Sequence, residues 1–348
     1  MSGSDRKRAR ADLDFNGTVR IEGTASFDVD DQNCDLTVAG DWVSTSNNAL
    51  PFDYGTELVT FDGNQRQRMR SNNLGGTFND VVINKSDCLV LISPMNIRAN
   101  GSITFTSGYV SSDSLNPLVL NDGSTALSAS DNSYVDGRVR KIGNDAFTFP
   151  IGDGGNYQPA SISAPAGITD AFMAQYFLVD PRTRWSYDAV DITLHHVSTE
   201  EFWLIDNTGG GTGVALTLSF DAFSGGVDNL DSLVVARWNG TVWTSEGNGG
   251  TTGTTAAGTL SSNGAIADFS PFTLGSVQND FTVNPLPVEL VSFQAIRRGN
   301  DVELNWKTAT EVNNDYLDIE RSTDNQEWIL VNSIQGAGTK STPTDYIE

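Results

Sequence analysis

A short apolar motif recurs at a nearly constant interval in the first third of the chain, and this recurrence constrains the fold more than any other feature. The segments LTV (36–38), VTF (59–61), VVI (81–83) and ITF (103–105) follow one another in steps of 23, 22 and 22 residues. A period in the twenties is typical of solenoids, in which each coil stacks on the next. Antiparallel hairpins are the rival interpretation, but they favour strand spacings of about 8–12 residues. The period predicts a parallel β-solenoid over residues 13–131.

The same period predicts which side chains stack inside the coils. One residue of each motif should occupy the same inward position, because side chains alternate between the two faces of a strand. The predicted inward ladder consists of Val38, Phe61, Ile83 and Phe105. Cys34 and Cys88 are 54 positions apart, or about two and a half coils, so their backbones should differ by about two strand spacings of ~4.8 Å. Because a disulfide needs Cα atoms within about 7 Å, the spacing favours two buried free thiols over a bridge.

The rest of the chain also reads as strand, which predicts an all-β protein. In residues 132–279, short runs such as VALTLSF and LVVARW are separated by glycine-rich turns such as NTGGGTG. This pattern predicts a central β-sandwich. Four tryptophans occur in it: Trp185, Trp203, Trp238 and Trp243. Aromatic faces can stack on sugar rings, but tryptophans in a glycine-rich β-protein more often fill the core.

The segment NPLPVEL indicates a joint between the predicted sandwich and a third domain. Proline fixes φ and favours extended geometry in the residue before it, so residues 280–287 are predicted to form a semi-rigid linker. Residues 288–348 read as antiparallel strands with Trp306 and Trp328 as inward anchors. An immunoglobulin-like domain takes about 100 residues, whereas this segment has 61. We therefore expect a partial module whose unpaired edge associates with another copy or partner.

The same residues carry a resemblance to a known family. The segments LPVELVSFQA, VELNWKTATEVNNDYLDIERSTDNQEW and IQGAGTKSTPTDY resemble the immunoglobulin/fibronectin-like module before the sorting signal of type IX secretion substrates, the large adhesin-like surface proteins of the Bacteroidetes. SYVDGRVRKIGNDAFTFPIGDGGNYQP and FSPFTLGS are similar to segments of the same proteins. The chain shows neither a signal peptide nor a terminal sorting domain. The resemblance implies an exported parent protein, extracellular or on the outer-membrane surface.

Charge narrows the range of partners. Acidic residues outnumber basic residues 44 to 21, and the net charge of −23 repels nucleic acid and anionic lipid. The basic run SDRKRARAD is the exception; it is either a basic address or nucleic-acid arm, or a disordered tail, and we interpret residues 1–12 as a disordered basic tail. No apolar run approaches the roughly 18–20 residues that span a bilayer, so membrane insertion is not expected. The expected partners are a surface polysaccharide or a partner protein.

The sequence favours a non-catalytic role in adhesion or structural display. It contains no G-x-S-x-G elbow, H-E-x-x-H motif or P-loop. The alternatives are a polysaccharide lyase or hydrolase on the solenoid, or a carbohydrate-binding module. A basic residue beside acids in a groove would favour catalysis, whereas a flat face of Thr, Asn and aromatic residues would favour binding. His195 and His196 are neighbours in sequence and should point to opposite faces of a strand, so they are not expected to share a site.

Calcium is the candidate ion. The segment SFDVDDQNCD places five oxygen-bearing side chains within eight residues: Asp28, Asp30, Asp31, Asn33 and Asp35. Ca²⁺ prefers 6–8 oxygen ligands, which such a turn can contribute. The EF-hand template fails, because no Gly stands at the sixth position from Asp28 or Asp30. PIGDGGN is a second candidate, and an acidic solvated turn is the alternative interpretation. No other cofactor is expected.

Overall fold

The computed structural model describes residues 6–29, 34–53, 55–72, 76–181, 184–185, 189–211, 213–269, 271–279, 283–284, 290–299, 301–308, 311–323, 328–340 and 344–348. The regular elements in these ranges are β-strands, with no α-helix, which confirms the all-β prediction. The strands up to residue 153 are β1 (Arg6–Arg8), β2 (Leu13–Phe15), β3 (Val19–Ile21), β4 (Ser26–Asp28), β5 (Leu36–Val38), β6 (Trp42–Ser44), β7 (Phe52–Asp53), β8 (Leu58–Phe61), β9 (Gln67–Ser71), β10 (Thr77–Leu91), β11 (Met95–Ser111), β12 (Leu118–Leu120), β13 (Thr125–Leu127), β14 (Val135–Asp136), β15 (Val139–Ile142), β16 (Phe147–Phe149) and β17 (Ile151–Asp153).

The later strands fall into two groups. Those between residues 156 and 276 are β18 (Asn156–Tyr157), β19 (Ala160–Ile162), β20 (Ala171–Phe177), β21 (His196–Val197), β22 (Phe202–Asn207), β23 (Leu216–Phe220), β24 (Leu233–Trp238), β25 (Trp243–Gly247), β26 (Gly250–Thr254), β27 (Ala257–Ser261) and β28 (Pro271–Ser276). The last group is β29 (Leu290–Arg298), β30 (Asp301–Thr308), β31 (Glu311–Arg321), β32 (Ile329–Lys340) and β33 (Thr344–Ile347).

The N-terminal strands wind into a parallel β-solenoid of about six turns, which confirms the prediction made from the 22-residue period. Its turns contribute to three parallel ladders. The first consists of two separate parts. One part is the three-stranded sheet β1–β4–β7. The other part pairs the start of β10 with the start of β11, and then continues to β12 and β15. The second contains β2, β5, β8, the middle of β10 and of β11, and β13. The third contains β3, β6, β9, the ends of β10 and β11, β14 and β17.

The predicted inward ladder lies in the second of these sheets. Val38 pairs with Phe61, Phe61 with Ile83, and Ile83 with Phe105. All four side chains are at most 1% exposed, so the prediction is confirmed. A one-residue slip in register would turn the whole set toward solvent, so burial of this ladder fixes the register of the coils.

Aspartates at the coil corners hold consecutive coils together. The Asp35 carboxylate accepts the backbone N–H of Leu58 (3.0 Å), and the Asp80 carboxylate accepts that of Ser102 (2.8 Å). The same contact recurs from Asp12 to Asp35, Asp41 to Arg68, Asp122 to Asn144, Asp131 to Tyr157 and Asp153 to Leu178. These N–H groups lie at or near the ends of the paired strand segments, where a side-chain carboxylate can supply the acceptor that the neighbouring strand does not. Part of the acidic excess therefore has a structural role.

The first basic residues belong to the solenoid. Arg6–Arg8 pair in parallel with β4, so the interpretation of residues 1–12 as a disordered tail needs correction from residue 6 onward. The Arg6 guanidinium contacts Asp28 at 2.7 Å and Asp53 at 2.8 Å, and Arg8 contacts Asp28 at 3.2 Å. Asp28 and Asp53, from successive coils, are therefore the ion-pair partners of these arginines. The net charge of the chain alone does not reveal this pairing.

The two cysteines match the prediction. Cys34 and Cys88 are free thiols, 1% and 3% exposed. Burial, followed by the neighbouring carboxylates of Asp12, Glu57 and Asp35, raises the pKa of the Cys34 thiol. The thiolate is the reactive form of cysteine, and a raised pKa lowers its fraction at neutral pH. Cys34 is therefore expected to react slowly.

The described chain divides into two compact units. The first comprises Met1–Leu178, Phe202–Ser219 and Ser261–Phe272, and the second comprises Val179–Glu201, Phe220–Leu260 and Thr273–Glu348. In the first unit, β20 pairs antiparallel with β15 and β22. In the second unit, β24 pairs antiparallel with β25, and β21 with β28. Both units therefore contain antiparallel ladders, and the first unit contains them in addition to the parallel coils.

The tryptophans of the central segment are mainly core residues. Trp203 is fully buried in the first unit, and its Nε1 donates to the Gln158 carbonyl at 3.0 Å. Trp243 is fully buried in the second unit, where it packs in a cluster with Leu194, Val197, Val234 and Ala236. Trp185 and Trp238 are partly buried against this cluster.

The last strands form two antiparallel sheets, β29–β30–β33 and β31–β32. Trp306 is 5% exposed and stacks on Tyr346 with ring centroids 5.2 Å apart, as expected of an inward anchor. Trp328 is 54% exposed, so its predicted role as a second inward anchor is wrong. Trp328 lies before the first residue of β32, so it is not part of a strand with an inward face.

Candidate functional site

A polar groove crosses the solenoid where the first ladder turns into the second. It has a volume of about 490 Å³. We call it the corner groove, and its lining residues are Thr77, Asn96, Arg98, Ala99, Asn121, Asp122, Ile142 and Ile168. Thr77 belongs to β10, Asn96 to β11 and Ile142 to β15, with β12 between the last two. Consecutive strands are ~4.8 Å apart, so the groove follows the coil axis for about 14 Å.

Three corner motifs recur beside the groove, again at intervals of 22 residues, and the first two contribute lining residues. They are ANGS (99–102), NDGS (121–124) and GNDA (143–146). Asn100 and Gly123 have φ values of 63° and 69°, in the left-handed region that Gly and Asn tolerate best. A Cβ on Gly123 would lie 2.3 Å from the Asn100 side-chain oxygen, so the close stacking of these corners requires glycine there. This repeated corner is the sequence signal that predicts the groove, and sequence reasoning missed it.

Hydrogen bonds hold the polar side chains of the groove in place. Asn121 Nδ2 donates to the Ile97 carbonyl at 2.7 Å, and Arg98 Nη1 donates to the Gly55 carbonyl at 2.6 Å. The Asp122 carboxylate accepts the Asn144 N–H at 3.2 Å. The groove thus combines amide and guanidinium donors with a carboxylate acceptor. Ile168, 62% exposed, adds an apolar surface at its side.

A second feature is a flat file of outward side chains on the second ladder. Neighbouring strands pair Thr37 with Thr60, Thr60 with Val82, Val82 with Thr104, and Thr104 with Leu127. These residues alternate with the buried ladder of Val38 and its partners. The file presents hydroxyl and methyl groups at the strand repeat. It has the threonines of the face predicted to favour binding, but neither its asparagines nor its aromatic residues.

A third feature is a cluster of titratable groups at the last coils. The pKa of Asp136 is raised by burial and by the nearby Asp153 carboxylate. Burial also raises the pKa of Tyr134, whose hydroxyl accepts the Gly155 N–H at 3.0 Å, and raises the pKa of Tyr157 to about 12. A carboxyl group whose pKa is raised in this way keeps its proton to higher pH, which is a property of a general acid.

The residues of the predicted calcium site are only partly described. Asp28 ends β4, is fully buried, and contacts Arg6 and Arg8. Asp35 precedes β5 and accepts the Leu58 N–H. Asp30, Asp31 and Asn33 lie outside the described residues. Within the described ranges, no three His, Cys, Asp or Glu side chains form a group that could hold a metal ion, and the calcium site stays a prediction.

The two histidines contact each other, contrary to the prediction. His195 Nδ1 lies 3.0 Å from His196 Nδ1, and the ring planes are 87° apart. The prediction assumed that both residues lie in one strand and therefore alternate. Only His196 begins the two-residue strand β21, so alternation does not apply to His195. Two imidazoles in contact form a local titratable pair.

Comparisons with known proteins yield no relative: no protein-family model matches the chain, and no curated protein or solved structure matches it. In the part of the chain that the structure describes, no helix combines the length and the apolar character needed to cross a membrane. The class of protein is thus defined by its fold, an all-β chain with an N-terminal parallel β-solenoid. The corner groove is the feature of the described solenoid that combines hydrogen-bond donors, a carboxylate and an apolar wall.

Proposed function

We propose that the chain is a non-catalytic adhesion or structural display module of a larger exported protein, and that its solenoid binds a surface polysaccharide in the corner groove. One observation carries this proposal: Arg98, Asn96 and Asn121 line the groove as hydrogen-bond donors, with the Asp122 carboxylate as acceptor and Ile168 as an apolar wall. Sugar rings present hydroxyl groups at their edges and C–H groups on their faces, so this combination suits them. A groove along the coil axis suits an extended polymer.

The charge of the protein favours a neutral polysaccharide. The net charge of −23 repels a polyanion at long range, and the groove itself contains one cation and one carboxylate, Arg98 and Asp122. The threonine file of Thr37, Thr60 and Thr104 offers a second flat surface for such a polymer.

The parent protein and the later domains belong to the same proposal. The resemblance of residues 288–348 to the module before a type IX sorting signal supports an extracellular or outer-membrane location. The antiparallel ladders β20–β22, in the first unit, and β24–β25, in the second, each support antiparallel sheet structure in the segment predicted as a sandwich. The two antiparallel sheets of the last five strands, with Trp306 and Tyr346 stacked, support an immunoglobulin-like module.

A matched pair of variants tests the groove. We expect the protein to be retarded in gels that contain a neutral polysaccharide from a broad panel. Ile168→Ser should weaken binding about five- to tenfold, because it removes an apolar contact worth roughly 1 kcal/mol. Leu115→Ser is the control, because Leu115 is also an exposed apolar residue (81%) of the first unit but does not line the groove. Equal retardation of both variants would contradict the groove as the binding site.

A polysaccharide-active enzyme is the second candidate function, and two observations favour it. Arg98 lies in the same groove as Asp122, and Asp136 has a raised pKa beside Asp153. Glycoside hydrolysis uses such a carboxyl pair. Reducing-end and unsaturated-product assays on the same panel decide between the two functions. Sustained turnover that is lost in Asp136→Asn would overturn the non-catalytic proposal.

A further inference from the structure

Asn284, the first residue of NPLPVEL, is an internal anchor. It is fully buried and has a left-handed φ of 50°. Its Oδ1 accepts the N–H groups of Asp228 (2.9 Å) and Asn229 (2.8 Å), and its own N–H donates to the Asp228 carboxylate at 2.8 Å. Its Nδ2 donates to the Asn229 carbonyl (2.8 Å) and to Ser232 Oγ (3.0 Å). The side chain therefore fastens the chain to the loop 228–232.

The carbonyl of this anchor is bound by a histidine. His196 Nε2 lies 2.7 Å from the Asn284 carbonyl oxygen, so Nε2 carries a proton and donates it. When His196 is neutral, its Nδ1 is an acceptor, and His195 Nδ1, 3.0 Å away, is the donor. The contact to Asn284 thus determines the tautomers of both rings.

The number of protons on the two imidazoles decides whether the hydrogen bonds between His195, His196 and Asn284 can all form. One added proton is accommodated, because His196 then donates from both nitrogens and His195 turns an unprotonated Nδ1 toward it. A second proton leaves two N–H groups facing each other and two cationic rings with centroids 5.2 Å apart. We propose that the His195–His196 pair is an acid-sensitive latch, which holds Asn284 at neutral pH and releases it when both imidazoles are protonated.

The other titratable side chains near the histidine pair determine the pH range in which the latch can be tested. The neighbouring strand β28 has no titratable side chain, and its Ser276 pairs with His196. The loop 228–232 carries Asp228 and Asp231, and Asp228 accepts the Asn284 N–H. The segment of the histidines carries Asp191, Glu200 and Glu201. Aspartate and glutamate ordinarily titrate near 3.9 and 4.3, and histidine near 6.5, so a test between pH 7.5 and pH 5 mainly addresses the histidines.

The test measures amide hydrogen exchange of Asp228, Asn229 and Asn284 in the full chain, expressed as protection factors, which correct for the intrinsic effect of pH. We expect these factors to fall at least about tenfold from pH 7.5 to pH 5 in the wild type. His196→Gln retains a side-chain N–H donor but does not titrate, and His195→Asn keeps a polar group near the Nδ1 position. Both variants should retain their protection at pH 5.

A second measurement follows the histidines directly. They are the only two in the chain, so their imidazole proton resonances form two titration curves. The wild type should titrate in two separated macroscopic steps, and each single variant in one step. Unchanged protection in the wild type at pH 5, or two independent and identical titrations, would overturn the latch. Loss of protection at pH 5 in both variants would also overturn it, since the response would then arise from another group.

Discussion

The inward ladder of the solenoid can be tested by the substitution Phe61→Ala. Phe61 is fully buried between Val38 and Ile83 and makes an edge contact with Phe78, with ring centroids 6.0 Å apart. Burying an aromatic ring of about 200 Å² at about 25 cal/mol per Å² contributes roughly 5 kcal/mol. Because alanine keeps part of this burial, and since measured Phe→Ala changes cost about 3–5 kcal/mol, we expect a loss of about 4 kcal/mol.

Urea unfolding followed by far-UV circular dichroism measures this loss. The control is Thr60→Ala on the same strand, because Thr60 belongs to the outward file and should change stability by less than about 0.5 kcal/mol. In a solenoid each coil contacts only its neighbours, so the transition of the solenoid should move to lower urea while later transitions stay in place. A loss in Phe61→Ala that is no larger than the loss in Thr60→Ala would refute the assigned faces, since a register shifted by one residue would expose Phe61 and bury Thr60.

Three further predictions concern polar groups. Lys85→Met should destabilise the solenoid by about 2–3 kcal/mol in urea, because Lys85 Nζ donates to the carbonyls of Gly63 (2.9 Å) and Gln65 (3.0 Å) and to Gln67 Oε1, and the variant removes these hydrogen bonds from a buried site; an unchanged midpoint would contradict this. Asp136→Asn should raise the melting midpoint at pH 7, because a raised carboxyl pKa means that ionisation opposes folding, and the gain should vanish below the ordinary Asp pKa of about 3.9, where both states are protonated; a gain that persists at pH 3 would show that it is not electrostatic. Calcium at about 100 times its Kd should add roughly 2.7 kcal/mol, and Asp31→Asn should reduce this gain, if the predicted acidic turn binds the ion; an identical melting curve in chelator would contradict the site.

The sequence predicts the coil repeat well because inward positions are under the same constraint in every turn. Val38 and Phe105 lie three coils apart, yet both follow from one period. The corner groove has the same period, since its lining residues Ala99 and Asn121 are 22 positions apart, but polar turn residues form a weaker pattern than apolar ones. A search for turn motifs at the coil period would have found the groove.

The remaining contacts depend on long-range geometry that no local pattern encodes. His196 and Asn284 are 88 positions apart and meet because the chain returns to the loop 228–232. The contact of His195 with His196 depends on where a two-residue strand begins, and alternation is informative only within a strand. Arg6 and Asp53 likewise meet across two coils, so their ion pair is visible only once the coils are stacked.

Trp306 and Trp328 offer a last test, of the final strands. Trp306 lies between Phe293 and Tyr346, its partners on the two neighbouring strands, and is 5% exposed, whereas Trp328 is 54% exposed. Trp306→Ala should therefore cost about 3 kcal/mol and lower the amide protection of Leu304 and Glu348, which exchange backbone hydrogen bonds, by about a hundredfold.

Trp328→Ala is the matched control in the same measurement. It should change the protection of Leu304 and Glu348 by less than about threefold, because a half-exposed side chain outside this three-stranded sheet contributes little to its stability. If Trp328→Ala lowers protection as strongly as Trp306→Ala, then Trp328 is buried in solution. Such burial would mean that a second chain or a ligand covers the half-exposed Trp328 and Phe293, as the expected self-association of this module requires.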